Sequence, residues 1–173
     1  GICAFILFPG WQKMVAFLSS ASILSYGIGP ICLLALRKIQ PEQRRPFKLL
    51  GSLFFCNIAF YVCNLMLYWC GFSVIWKLCL AILFGFIIYL CYQKRNFWSG
   101  NYSLYWFFSY ITVLLLLSYL GPFGGIARLK FPFGMLIIFP FSLLMLYLSQ
   151  YCLVRDQAEK ESFDLMNKQL QDL

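Results

Sequence analysis

Five long apolar runs dominate the pattern of hydrophobic and polar positions along the chain. A helix needs roughly 20 mainly apolar residues to cross a hydrocarbon core of about 30 Å. The runs that reach this length cover residues 14–36, 49–69, 73–92, 104–120 and 131–153. Their apolar residues come in long runs and not at amphipathic spacing, which is typical of membrane spans. The pattern predicts an all-α fold, a polytopic transmembrane helical bundle that occupies residues 1–153.

The two ends of the chain differ from these spans. Residues 1–8, "GICAFILF", are apolar but too short to cross a bilayer, and "PGW" follows as a turn signal. We interpret them as the end of a truncated helix and the chain as the C-terminal part of a longer protein. Residues 154–173 are polar but carry an apolar stripe at helical spacing, which predicts a solvated or frayed helix in a cytoplasmic tail.

Composition agrees with a membrane protein, because 62% of the 173 residues are hydrophobic and only 12% are charged. Soluble domains are about 45–50% apolar and about 25% charged. The net charge of +8 does not indicate nucleic-acid binding, since most basic residues flank the apolar runs, where they set topology. The bilayer is therefore the first expected partner.

The basic residues divide unequally between the two sides of the predicted bundle. Under the positive-inside rule the richer side is cytoplasmic, which places the 37–48 loop, the 93–103 loop and the C-terminus in the cytoplasm. The richer side holds Arg37, Lys38, Arg44, Arg45, Lys48, Lys94, Arg95, Arg155, Lys160 and Lys168. The poorer side holds Lys13, Lys77, Arg128 and Lys130.

The titratable residues argue against catalysis within the membrane. The chain has no histidine, and none of its six acidic residues lies in an apolar run. Intramembrane proton relays, metal sites and hydrolytic centres usually need a buried Asp, Glu or His. We therefore expect no enzyme, no cofactor, no metal site and no self-contained proton-coupling site in this chain.

The first span, "SSASILSYGIGPICLLALRK", is unusually polar. Ser19, Ser22 and Tyr26 recur at spacings of three and four, and Ser25 and Gly29 at a spacing of four. Ser22, Ser25 and Tyr26 are the candidates for lining a substrate path. The alternative is helix packing, because small residues let membrane helices approach one another closely.

The same span contains a helix-breaking segment near its middle. Gly27, Gly29 and Pro30 predict a kink or partial unwinding, because proline removes a backbone donor and clashes with the carbonyl four residues earlier. Such a break in lipid needs protein or a wet cavity around it. It is a feature of secondary transporters, although glycine and proline are also common in ordinary membrane helices.

A second polar stripe runs along the next span. Asn57, Tyr61, Asn64 and Tyr68 recur at spacings of four, three and four, so they share one helix face. Such a face joins helices by hydrogen bonds or lines a pathway, and the joining role is the favoured interpretation.

The order of several short motifs resembles bacterial permeases of the amino acid–polyamine–organocation (APC) superfamily. The stretch "SASILSYGIGPICLLALRKIQPEQRRPFKL" is similar to a Ser/Gly-rich helix and the cytoplasmic loop that follows it, with the loop motif Arg44, Arg45, Pro46 and Phe47. "PGWQKMVAFLSSAS", "YWCGFSVIWKL" and "YLGPFGG…FPFG" resemble further segments, the last one an extra C-terminal helix pair in the aspartate–proton symporter-like subgroup.

The resemblance implies a fragment of a leucine-transporter-like inverted-repeat fold. The first span would correspond to the family's tenth helix, and the substrate cradle would belong to broken first and sixth helices that this chain lacks. The chain would then be the C-terminal portion of a secondary active amino acid transporter in a bacterial plasma membrane, inactive alone. Its partners would be the missing N-terminal helices, with the amino acid substrate and coupling ion bound only by the full-length protein. The alternative is a small independent multi-span protein that acts in assembly or interaction.

Overall fold

The computed structural model describes residues 11–42, 44, 50–92, 102–126 and 132–171. Within these residues the chain forms five α-helices: α1 (Trp11–Ile39), α2 (Ser52–Cys70), α3 (Phe72–Tyr92), α4 (Tyr102–Leu120) and α5 (Phe133–Gln171). No strand occurs in the described ranges. Each helix is long and apolar enough to cross a membrane, so the predicted polytopic helical bundle is confirmed.

Successive helices run in opposite directions and pack into one bundle. α1 packs against α2, α3 and α5, and α5 also packs against α2 and α4. A first apolar cluster joins four of the helices through residues such as Ile31, Phe60, Ile111 and Leu146. A second cluster, Leu67, Ile75, Leu78 and Leu114, joins α2, α3 and α4. These clusters hold α1 and fix which of its faces points outward.

The turn between α2 and α3 is as short as its sequence predicts. Gly71 alone separates the two helices, and its φ of 85° lies in a region that favours glycine. Phe72 donates its backbone N–H to the Phe123 carbonyl at 2.9 Å. This bond ties the turn to the segment after α4, at the same end of the bundle.

The opposite end is joined by two polar contacts. Arg37 donates a hydrogen bond from Nη1 to Ser52 Oγ, which links the end of α1 to the start of α2. Asp156 of α5 accepts hydrogen bonds from the backbone N–H groups of Tyr102 and Ser103 at 2.8 and 2.9 Å. A carboxylate at this position satisfies donors that a helix N-terminus leaves open.

α5 is longer than the predicted span, because the helix continues without interruption from Phe133 to Gln171. The polar segment after residue 153 therefore extends the helix of the last span. The proposed truncated helix at residues 1–8 lies outside the described residues, as does most of the 93–103 loop.

The outer surface of the bundle is strongly apolar. Large hydrophobic side chains are exposed on every helix, and Phe54, Phe84 and Leu136 are each more than 60% exposed. Water would make so much exposed apolar surface costly, whereas lipid tails are themselves apolar. The five apolar helices and this surface together indicate that the chain is an integral membrane protein.

Candidate substrate path

The polar residues predicted to line a path lie together on one face of α1. Ser22, Ser25 and Tyr26 are all exposed, and Tyr26 is 71% exposed. The buried residues of α1 are Ser20, Gly27, Ile31, Leu34 and Ala35. At 100° per residue the two sets fall on opposite sides of the helix. The described helices therefore leave the predicted path residues without a protein neighbour on that face.

Two serines of α1 bond to their own helix. Ser20, which is fully buried, donates from Oγ to the Phe17 carbonyl at 2.7 Å. Ser22 donates in the same way to the Leu18 carbonyl at 3.1 Å. A hydroxyl used as a donor keeps lone pairs to accept with. The Ser22 hydroxyl is therefore compatible with a path that binds a donor such as an ammonium group.

Gly27, Gly29 and Pro30 lie inside a continuous helix, so no unwound segment occurs at this position. A kink there stays a prediction. α1 is helical from Trp11 to Ile39, with Pro30 inside it. Proline removes a single N–H, and neighbouring helices can support the rest of the turn. Here Gln150 of α5 donates from Nε2 to the Ile31 carbonyl at 3.0 Å, one residue after Pro30. This bond joins α5 to α1 at the residue after the proline.

The two glycines before Pro30 occupy different environments. Gly27 is buried against α2, and a Cβ built on it would lie 3.8 Å from atoms of Phe60 and Cys63. Gly29 faces outward, with nothing within 4 Å of a built Cβ. Gly27 thus lies in the α1–α2 contact with room for a methyl group, whereas Gly29 belongs to the exposed polar face.

The polar stripe of α2 faces the interior of the bundle. Asn64 is fully buried, and its Oδ1 accepts a hydrogen bond from the Tyr110 hydroxyl at 2.7 Å. Its Nδ2 donates to the Phe60 carbonyl at 2.9 Å. The ring of Tyr61 meets Phe139 of α5 edge-on at 5.4 Å. The bond from Tyr110 and the contact of Tyr61 with Phe139 join α2 to other helices, so the favoured interpretation of this stripe agrees with the structure.

Tyr110 is a polar residue that the sequence analysis did not single out. It lies in α4 among Trp106, Phe107 and Phe108, and its spacing alone does not distinguish it from its aromatic neighbours. Its ring stacks between Trp106 at 5.5 Å and Phe141 at 6.0 Å. Only the packing of α2 against α4 shows that its hydroxyl completes the hydrogen bonding of Asn64.

The basic loop motif is described in part. Arg44 is exposed in the loop after α1. Arg45, Pro46 and Phe47 lie outside the described residues. Arg37 and Ser52, which lie on either side of the loop, are joined by a hydrogen bond.

Comparison with known proteins gives two related transporters. The chain is 31% identical over 144 residues, 80% of its length, to the glutamate/serine transporter AimA of Bacillus subtilis (strain 168). It is 31% identical over 156 residues, 83% of its length, to the aspartate–proton symporter of the same organism. These matches are consistent with an APC-type, permease-like protein.

The permease-like chain is much shorter than these relatives. It spans 27% of the length of the first and 29% of the second. No family model matches the chain. No solved structure matches it either. The similarity confirms the resemblance drawn from the motif order.

Proposed function

We propose that the chain is the C-terminal portion of a secondary active amino acid transporter and is inactive without the remaining helices. The exposed polar face of α1 carries this proposal. Ser22, Ser25 and Tyr26 point away from every described helix, in a segment that is otherwise suited to lipid. Polar groups in a membrane favour protein contacts or a water-filled path over lipid. Further helices of a transporter would provide that environment.

The relatives suggest the class of substrate. One is named as a glutamate/serine transporter and the other as an aspartate–proton symporter. We extend to this chain what the two names share, the transport of an amino acid. The coupling to an ion is extended from the name of the symporter alone. Within such a transporter, α1 would line part of the substrate path in a leucine-transporter-like inverted-repeat fold.

Uptake by proteoliposomes tests the activity. The 173-residue chain is compared with the longest natural reading frame that contains it, using radiolabelled aspartate, glutamate and serine. Saturable uptake is expected only from the longer protein, and it should depend on an imposed ion gradient. Saturable uptake by the 173-residue chain alone would contradict the proposal.

Labelling of the polar face separates a transporter from a small interaction protein. Ser25→Cys in the longer protein should react with a water-soluble thiol reagent above the level of the unchanged protein, and substrate should slow that reaction. Phe84→Cys, on the exposed apolar side of α3, is the matched control and should not react. Labelling of Ser25→Cys that substrate leaves unchanged would favour an interaction surface.

The orientation is proposed from the basic residues. The end of the bundle that contains the Arg37–Ser52 and Asp156–Tyr102 contacts also carries Lys38, Arg44 and Arg155. Lys13 and Lys77 lie near the other end. The positive-inside rule places the richer end in the cytoplasm of a bacterial plasma membrane. An impermeant reagent applied to intact cells should label Lys13→Cys and spare Glu42→Cys, and the reverse result would contradict this orientation.

A further inference from the structure

A small cleft opens between α1 and α5 at the end of the bundle that carries Arg37 and Arg155. Its volume is about 160 Å³, and it is lined by Lys38, Tyr147, Gln150, Tyr151 and Val154. A water molecule occupies roughly 30 Å³ in the liquid. The cleft is therefore large enough for a phosphate group with several further atoms.

Gln150 gives this cleft an unused buried acceptor. The residue is 3% exposed, and its Nε2 is committed to the Ile31 carbonyl at 3.0 Å. Its Oε1 is buried and has no hydrogen-bond partner among the described residues. Buried polar atoms are nearly always hydrogen-bonded, so an orphaned acceptor in the lining indicates a missing donor.

The charge around the cleft is positive. Lys38 is exposed at its edge, and none of the lining residues is acidic. The nearest acidic residues along α5 have other partners. Asp156 is bonded to the N-terminus of α4, and Glu159 lies 4.0 Å from Arg155. The side chain of Lys38 can therefore attract an anion without an acidic competitor in the cleft.

Apolar surface continues from the cleft toward the middle of the bundle. Leu36 of α1 and Leu144 of α5 are each more than half exposed. Tyr147 lies three residues after Leu144, so the two side chains share a face of α5. A ligand with a polar head in the cleft could lay a hydrocarbon chain along this face.

We propose that the cleft binds the headgroup of an anionic phospholipid that carries a free hydroxyl, as phosphatidylglycerol does. The phosphate accepts from the Lys38 ammonium group and from the hydroxyls of Tyr147 and Tyr151. A headgroup hydroxyl donates to Gln150 Oε1. Basic clefts between membrane helices are suited to such headgroups, and this site is independent of the proposed transport activity.

Native mass spectrometry of the detergent-solubilised chain tests the proposal with four ligands. Phosphatidylglycerol has the charge and the hydroxyl, phosphatidylmethanol has the charge alone, and phosphatidylcholine has no net charge. Binding should weaken in that order. Free glycerol phosphate should not displace phosphatidylglycerol, and its displacement of the lipid would show a site for soluble anions instead.

Single substitutions test the contacts of Lys38 and Gln150 separately. Lys38→Gln should weaken phosphatidylglycerol and phosphatidylmethanol alike, by about fivefold. Gln150→Leu should weaken phosphatidylglycerol and abolish its advantage over phosphatidylmethanol. Lys13→Gln, at the other end of the bundle, is the matched control and should change neither.

Two results would overturn the proposal. One is equal binding of phosphatidylglycerol and phosphatidylcholine by the unchanged chain. The other is an equal loss of binding in Lys13→Gln and Lys38→Gln, which would indicate a general charge effect. Lys38 is exposed at a helix end, so its substitution leaves the fold intact and keeps the second comparison valid even if Gln150→Leu fails to fold.

Discussion

The Tyr110 hydroxyl of α4 donates a hydrogen bond to Asn64 Oδ1 of α2 at 2.7 Å, in the interior of the bundle. Both residues are at most 4% exposed. The bond satisfies the amide oxygen of Asn64, whose nitrogen is already bonded to Phe60. It therefore links two helices that are otherwise joined by apolar contacts.

Removal of this hydroxyl should destabilise the bundle without changing its shape. Tyr110→Phe leaves the ring stack with Trp106 in place but leaves Asn64 Oδ1 without a donor. We expect a loss of about 1 kcal/mol in the free energy of unfolding, within the range measured for bonds between membrane helices. Reversible unfolding in mixed detergent micelles measures it.

Further variants test whether the lost hydrogen bond causes this destabilisation. Tyr119→Phe removes a hydroxyl from a ring that is 43% exposed and should change stability by less than half as much. In a double-mutant cycle, Asn64→Leu and Tyr110→Phe should be clearly non-additive. Additive effects would mean that the bond contributes nothing of its own.

The carboxylate of Asp156 should be needed to order the start of α4. Both its oxygens accept backbone N–H groups, from Tyr102 and Ser103, and it also bonds the Ser103 hydroxyl. Asp156→Ala leaves these donors unsatisfied, and we expect a cost of about 1–2 kcal/mol. Hydrogen exchange should show faster exchange at the amides of residues 102 and 103.

Two further variants separate capping from charge near Asp156. Asp156→Asn keeps one acceptor and should recover part of the protection. Glu159→Ala removes a half-exposed acid whose only described ion pair is with Arg155, and it should cost less than about 1 kcal/mol. A larger effect of Glu159→Ala than of Asp156→Ala would refute the capping role.

The spans could be predicted from the sequence because lipid imposes a length on every apolar run. The contacts of Asp156 and Tyr110 could not. Their partners lie 54 and 46 residues away along the chain, and pairing at that distance depends on which helices pack together. The sequence pattern correctly placed Asn64 on a polar face, but a periodicity identifies a face and not its neighbour.

The exposed face of α1 also shows what residue spacing can and cannot predict. The sequence analysis named Ser22, Ser25 and Tyr26 as path candidates, and the structure places all three on one exposed face. Spacing could not show that Gly27 turns inward against α2 while Gly29 turns outward. Nor could it show that the Pro30 turn is supported from α5 by Gln150.

Gly71, between α2 and α3, should tolerate substitution poorly. Its φ and ψ of 85° and 158° belong to a region that is essentially restricted to glycine, and a built Cβ would lie 2.8 Å from the Phe123 carbonyl oxygen. Gly71→Ala should cost about 1–3 kcal/mol. Thermal unfolding in detergent measures the loss.

Gly85 provides the matched control for that substitution. It lies inside α3, and a built Cβ would have nothing within 4 Å. Gly85→Ala should leave stability unchanged or raise it by roughly 0.5–1 kcal/mol, because alanine favours the helix. Equal destabilisation by the two substitutions would contradict the strained geometry assigned to Gly71.

Pro30→Ala should lower transport without lowering the stability of the bundle. Pro30→Ala restores a backbone donor for the Tyr26 carbonyl and removes the clash of the ring with that turn. Because α1 is already helical through this position, the substitution should not lower stability. If α1 bends at this turn during transport, uptake by the longer protein should fall while folding is preserved.

Pro140→Ala tests the specificity of that effect, since Pro140 also lies inside a helix but is exposed on α5, away from the polar face. It should leave uptake unchanged, and equal losses in both variants would indicate a general response of membrane helices to proline removal.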